Sequence, residues 1–129
     1  MSSTPRPRVL YVEDHEDSRE MLSTLLRFAL IEAKAVGTVA EALSSIQAEH
    51  FDLYLLDSQL PDLDGFELCR RMRDLDAHTP ILFFSGAAFI TDKQRGIEAG
   101  ANAYISKPDI ESLIGSIRQF VLHAQSAAA

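Results

Sequence analysis

One short stretch, Leu53-Tyr54-Leu55-Leu56-Asp57, constrains this chain more than any other. Four apolar residues run unbroken and end in a carboxylate. Such a run reads as a strand buried on both faces, the habit of parallel sheets. The stretch that follows, Ser58-Gln59-Leu60-Pro61-Asp62-Leu63-Asp64-Gly65, is rich in turn residues. Asp57 is thereby expected where a parallel strand leaves the sheet, at the edge where open α/β sheets bind ligands. The competing reading is a solvated loop acid or a helix cap.

The rest of the chain repeats this grammar. Val9-Leu10-Tyr11-Val12, the weakly marked Ala33-Lys34-Ala35-Val36, Ile81-Leu82-Phe83-Phe84 and Ala103-Tyr104-Ile105-Ser106 read as four more strands. Helical spacing of Met21, Leu22, Leu25, Leu26 and Ala29 predicts a first helix from Ser18. Thr38 and Glu41 form a capping box for a second, burying Val39, Leu43 and Ile46. A third starts near Asp64 with Leu68, Met72 and Leu75 on one face. The fourth, roughly Thr91 to Ala99, has Ile90 and Ile97 as its only large aliphatics. Thr91 and Gln94 are placed to cap it, and Gly100 to end it. So few anchors predict the loosest docking of the set. Asp109 caps a fifth helix, whose buried side is Ile110, Leu113, Ile114, Ile117 and Val121. Five strand–helix alternations with short links predict an α/β fold, a parallel sheet covered on both faces. Residues 1–7 read as a flexible arm, 8–124 as one domain and 125–129 as a fraying tail.

Composition narrows the function. A net charge of −7 argues against a chain that itself grips nucleic acid, and suits a cationic ligand such as a divalent metal. No apolar run approaches the roughly 20 residues that span a bilayer, and the N-terminus lacks the apolar core of a secretory signal. The one cysteine, Cys69, excludes an internal disulfide and fits a reducing, cytoplasmic setting. It reads as a small buried hydrophobe. His15, His50, His78 and His123 show no zinc spacing.

The strands end in chemistry. Glu13-Asp14, Asp57, Ser85 and Lys107 each follow or close a strand, and in a parallel sheet those ends share one edge. Carboxylates held close repel one another and raise their own pKa values, a cost that Mg²⁺ removes. Lys107 is a compact positive charge suited to a phosphate or to Asp57. Ser85 can donate to a phosphoryl oxygen. A carboxylate beside metal, amine and hydroxyl can attack phosphorus and give an acyl phosphate.

Four separated motifs, Val-Leu-Tyr-Val-Glu13-Asp14, Leu-Leu-Asp57-Ser-Gln-Leu-Pro61-Asp-Leu-Asp-Gly65, Leu-Phe-Phe-Ser85-Gly86-Ala87 and Ala-Tyr104-Ile-Ser-Lys107-Pro108, lie in order. In this the chain resembles the receiver domain of two-component response regulators, of the chemotaxis-regulator type. The resemblance implies a flavodoxin-like, doubly wound sheet of five parallel strands in order 2-1-3-4-5, with five helices. It implies Asp57 as phosphoacceptor and Mg²⁺ as cofactor, held by Asp14 directly, by Glu13 through water, by Asp57, and by the backbone carbonyl of Gln59. Ser85 would be the switch hydroxyl, Lys107 the partner of the phosphoryl group, and Tyr104 the aromatic that follows the switch. Pro61 and Gly65 would shape the loop after Asp57, with Lys107–Pro108 cis. Glu13 stands where an aspartate is usual, and Ser85 where a threonine is.

The implied function is a phosphoacceptor signalling module, its only chemistry its own phosphorylation and dephosphorylation. A histidine kinase or histidine phosphotransfer protein would supply the phosphoryl group. A downstream protein would bind the face of helix four, strand five and helix five, with Phe89, Ile90, Lys93, Tyr104 and Arg118. Stand-alone receiver and domain of a larger regulator or hybrid kinase are both open, the Met1 start favouring the first. One alternative is an aspartate-nucleophile phosphatase, but that class usually wants a second acid where Gln59 stands. Another is a degenerate receiver that only binds partners, against which the intact acids and Lys107 speak.

Overall fold

The computed structural model describes residues 6–60, 64–87 and 89–128; residues 1–5 of the expected arm, Pro61 and Ala129 lie outside them. Ten elements alternate: β1 (Arg8–Val12), α1 (Glu16–Phe28), β2 (Glu32–Val36), α2 (Val39–Ala48), β3 (Leu53–Leu56), α3 (Gly65–Leu75), β4 (Ile81–Ser85), α4 (Ile90–Glu98), β5 (Ala103–Ser106) and α5 (Ile110–Ala128). The strands pair in parallel in the order β2-β1-β3-β4-β5. This is the doubly wound, flavodoxin-like α/β fold that the motif order implied. No described helix is long and apolar enough to cross a membrane.

Alternation along the strands builds two cores. Leu10, Val12, Tyr54, Leu56, Ile81 and Phe83 face one side, where α2 and α3 bring Val39, Ala42, Phe66, Leu68, Cys69 and Met72. Val9, Tyr11, Leu53, Leu55, Leu82 and Phe84 face the other, where α1 and α5 bring Leu22, Leu26, Leu113, Ile117 and Val121. Leu53, Leu55 and Leu56 are fully buried. Each contributes roughly 2 kcal/mol by leaving water. The β3 run is therefore unbroken because neither of its faces meets solvent.

The helices depart from their expected faces mainly at their ends. α1 begins at Glu16, two residues before Ser18, with Glu16 and Asp17 at the positive end of its dipole. Met21 and Leu75 are exposed rather than buried. On α3 the apolar face is carried by Phe66, Leu68, Cys69 and Met72, and the helix stops at Leu75 before the sheet can cover it. On α2, Ala42 and Ser45 reach full burial, while Leu43 and Ile46 only flank the core. The Thr38–Glu41 cap forms, with the Glu41 N–H donating to Thr38 Oγ1 at 3.2 Å. On α4 the expected Thr91–Gln94 cap does not form. The helix begins at Ile90 behind an N-cap at Phe89, whose N–H donates to Asp92 Oδ2 at 3.0 Å. Ile90 and Ile97 both point to solvent, so α4 buries only Gly96.

Two helices end in the same motif with different residues. At α4, Gly100 N–H donates to Ile97 O and Ala101 N–H to Gly96 O, both at 3.0 Å, with Gly100 at φ +112°. At α1, Leu30 N–H donates to Arg27 O at 3.0 Å and Ile31 N–H to Leu26 O at 2.9 Å, with Leu30 at φ +64°. Both are Schellman ends, whose left-handed residue favours glycine. Leu30 bears the steric cost of that conformation, and its side chain is exposed and packs little. Leu30→Gly is expected to raise the unfolding free energy by about 1 kcal/mol, measured by chemical denaturation.

Candidate functional site

The site lies at the carboxyl edge of β1, β3, β4 and β5. Val12 is in register with Leu56, and Asp57 N–H donates to Val12 O at 3.1 Å, which sets Asp57 beside Glu13. Ser85 closes β4 opposite Ser106, and Lys107 N–H donates to Ser85 O at 3.0 Å. The Lys107–Pro108 peptide is cis.

Lys107 crosses this edge. Its Nζ lies 2.6 Å from Glu13 Oε1 and 3.4 Å from Asp57 Oδ2. The nearer acid is Glu13, whose residue is 0% exposed, while Asp57 is 8% exposed. Glutamate reaches one methylene further than aspartate, and here that length is spent on the lysine. Burial works to lower the Lys107 pKa. The Glu13 hydrogen bond and the charges of Asp57 and Glu13 outweigh it, so the ammonium's pKa is raised. Burial first, and then the Glu13 charge, push the Asp57 carboxyl up. The Gln59 N–H at 3.2 Å, Lys107 and the Ser85 hydroxyl pull the other way, and the net shift is upward. Its charged form is thus costly in the bare site, a cost that a cation would lower.

The acid pair is fastened from behind. Arg19 Nη1 donates to Glu13 O at 2.8 Å and to Asp14 O at 2.9 Å. Room for that guanidinium comes from Gly37, where a Cβ would stand 2.8 Å from Arg19 Nη1. The Tyr11 hydroxyl, buried beneath, donates to Glu13 Oε1 at 3.4 Å. Burial and the charges of Glu13 and Asp57 push its phenol pKa up.

The donor set fits a hard divalent cation. Glu13, Asp14 and His15 offer ligand atoms within 4.8 Å of one another. Asp14 Oδ1 is buried without a hydrogen-bond partner, the state expected of an oxygen that awaits an ion. His15 Nδ1 stands 3.2 Å from that oxygen, yet its side chain is largely exposed. Gln59 is exposed and approaches Asp57 through its backbone.

Around this centre, Gly65 is buried against the turn, where a Cβ would collide with the Asp57 carbonyl oxygen and lie 2.8 Å from Ser58 Cα. The Ser85 hydroxyl meets Ser58 Oγ at 2.7 Å and accepts from Ala87 N–H at 3.2 Å. The Tyr104 ring lies inward, stacked on Phe83 with centroids 5.4 Å apart, and its hydroxyl donates to Ala87 O. Sequence reasoning brought Glu13, Asp14, Asp57, Ser85 and Lys107 to one rim and missed Arg19, Tyr11 and Ser58. Arg19 lies six and five residues past Glu13 and Asp14, in the first turns of the helix that follows them, and that nearness offered a signal. Ser58 gave none, because its partner is 27 residues away.

Residues 9–118 match the response regulator receiver domain. Transcriptional regulatory protein TcrA of Mycobacterium tuberculosis is 34% identical over 115 residues, which cover 86% of this chain and 44% of TcrA. The chain spans about half, or less, of the length of the curated relatives it matches. A CheY-like receiver domain protein from Methanospirillum hungatei superposes with a TM-score of 0.87 at 28% identity, covering 95% of this chain and 98% of its own. Chemotaxis response regulator CheY4 of Vibrio cholerae gives 0.81 at 30%, covering 89% and 98%. A match over most of the chain, with the same fold in both solved relatives, makes this protein a member of the response regulator receiver domain family.

Proposed function

We propose that the chain accepts a phosphoryl group on Asp57 from a histidine kinase or histidine phosphotransfer protein in the cytoplasm, with Mg²⁺ bound, and passes the signal to a downstream protein. The observation that carries this reading is the Lys107 ammonium between a fully buried Glu13 and Asp57, beside Asp14 Oδ1, which has no hydrogen-bond partner. Glu13, Asp14, Asp57 and the Gln59 carbonyl would hold the ion. Bound there, Mg²⁺ would neutralise the clustered carboxylates and polarise phosphoryl oxygens.

The transfer itself is a displacement at phosphorus. An Asp57 carboxylate oxygen forms the new P–O bond while the donor's P–N bond breaks. The departing imidazole keeps the electron pair and takes up a proton from water. Lys107, 3.4 Å from Asp57, is placed to pair with the added charge. Ser85 would turn its hydroxyl onto a phosphoryl oxygen, and Gly65 would hold the turn behind Asp57. Tyr104 would follow Ser85 through the loop they share. The downstream partner would read the face of α4, β5 and α5, where Phe89 and Ile90 are 78% and 74% exposed. The domain itself would touch neither nucleic acid nor membrane.

Incubation with Mg²⁺ and a small acyl-phosphate donor is expected to give a single phosphoryl adduct, seen by intact mass. Asp57→Asn should abolish it. Rapid turnover of many donor molecules would instead mark a phosphatase, and no adduct at all a degenerate receiver. Lys107→Ala removes the counter-ion of a fully buried carboxylate. The expected loss is about 2–3 kcal/mol of unfolding free energy without Mg²⁺, part of it restored when Mg²⁺ binds. Failure of Mg²⁺ to bind that variant in calorimetry would count against the role given to Lys107. Arg19→Met frees the two carbonyls behind the acid pair. Mg²⁺ affinity should fall about tenfold, in line with losses of groups that orient ligands.

A further inference from the structure

We propose that Ser58 is a positioning residue that holds the Ser85 hydroxyl in its resting place, and so sets how readily the site accepts a phosphoryl group. This rests on the phosphoacceptor reading of Asp57. Ser58 and Ser85 leave adjacent strands β3 and β4, and both are buried, at 5% and 1% exposure. Their hydroxyl oxygens lie 2.7 Å apart. The Ser85 oxygen also accepts from Ala87 N–H, and either hydroxyl can donate across the Ser58–Ser85 contact. Among the described residues, Ser85 is the hydrogen-bond partner of the Ser58 side chain.

Ser58 is poorly able to follow if Ser85 turns away. Its carbonyl accepts from Gly65 N–H at 3.0 Å, and the Gly65 backbone packs so closely that a Cβ there would lie 2.8 Å from Ser58 Cα. Turning Ser85 onto a phosphoryl group on Asp57 therefore breaks this hydrogen bond. It leaves the Ser58 hydroxyl buried without that partner, which is the expensive way to lose a hydrogen bond. The pair thus biases the site toward its unphosphorylated arrangement.

The test is the affinity for beryllium fluoride, a phosphoryl mimic, in the presence of Mg²⁺. It is read by tyrosine fluorescence or by amide shifts around Ala87, for wild type, Ser58→Ala, Ser85→Ala and the double variant. Ser58→Ala is expected to bind about fivefold more tightly than wild type, the worth of one ordinary hydrogen bond. In the Ser85→Ala background the same substitution should change affinity by less than about twofold, because Ser58 acts only through Ser85. Unchanged affinity in Ser58→Ala overturns the proposal while the phosphoacceptor reading stands. Weaker binding does the same, since Ser58 would then contact the phosphoryl group itself. An effect that persists without the Ser85 hydroxyl also overturns it. If wild type fails to take up beryllium fluoride, the phosphoacceptor reading falls and this proposal falls with it. Ser58→Cys, close in volume, repeats the measurement should the alanine variant fold poorly.

Discussion

The Lys107 ammonium is the group on which the site's other charges depend. Glu13 is wholly enclosed, and an enclosed carboxylate without a partner costs several kcal/mol. The cation that meets it arrives from 94 residues away in the chain. Only the sheet order makes that possible, because β1, β3, β4 and β5 open on one edge and β5 carries Lys107 across it. Such a pair is weak evidence for stability, since an apolar substitute of the same shape can serve a fold equally well. Its presence at the rim is better explained by chemistry that needs charges out of water.

Much of this was legible in the sequence because the strands are. Leu53 to Leu56 reads as buried on both faces, and the two cores show why. Once the strands are parallel, the residues that follow them must share a rim; the strand order that sets β1, β3, β4 and β5 side by side, and so lets Glu13, Asp14, Asp57, Ser85 and Lys107 meet, came from the resemblance. What the pattern could not give was who touches whom. Lys107 lies nearer Glu13 than Asp57 because a glutamate side chain extends further, a matter of about one bond length that no spacing encodes. Arg19 was hidden as one more charge on an amphipathic helix, although its guanidinium pins the carbonyls of the acid pair.

Helix ends were the weaker part for a related reason. Periodicity says which residues share a stripe, but not where the sheet stops covering it. Leu75, the last residue of α3, belongs to an apolar stripe by spacing and is exposed by position, as is Met21 in the middle of α1. Leu30 shows that a Schellman end can form without its glycine when the backbone bonds are worth more than the strain. α4 was correctly read as thinly anchored, and it goes further: both of its large aliphatics face solvent.

That thin anchoring gives Ala87 its importance. Its N–H donates to Ser85 Oγ, and its carbonyl accepts from the Tyr104 hydroxyl. One residue is therefore bonded through its amide to the hydroxyl beside Asp57 and through its carbonyl to an aromatic ring under α4. The ring is wedged, since a Cβ on Gly96 would lie 2.9 Å from Tyr104 Cδ2 and 3.1 Å from Phe83 Cδ2. Gly96 is the one α4 residue in full burial, so the helix rests on Tyr104 and Phe83 more than on side chains of its own. A Ser85 that turned toward Asp57 would release the Ala87 N–H, and a backbone shift at Ala87 would then move the carbonyl that accepts from Tyr104. The ring would lose its hydrogen bond in the same motion that removes part of the floor of α4. Coupling of this kind needs no long chain of contacts, only a helix held weakly enough for one residue and one ring to matter.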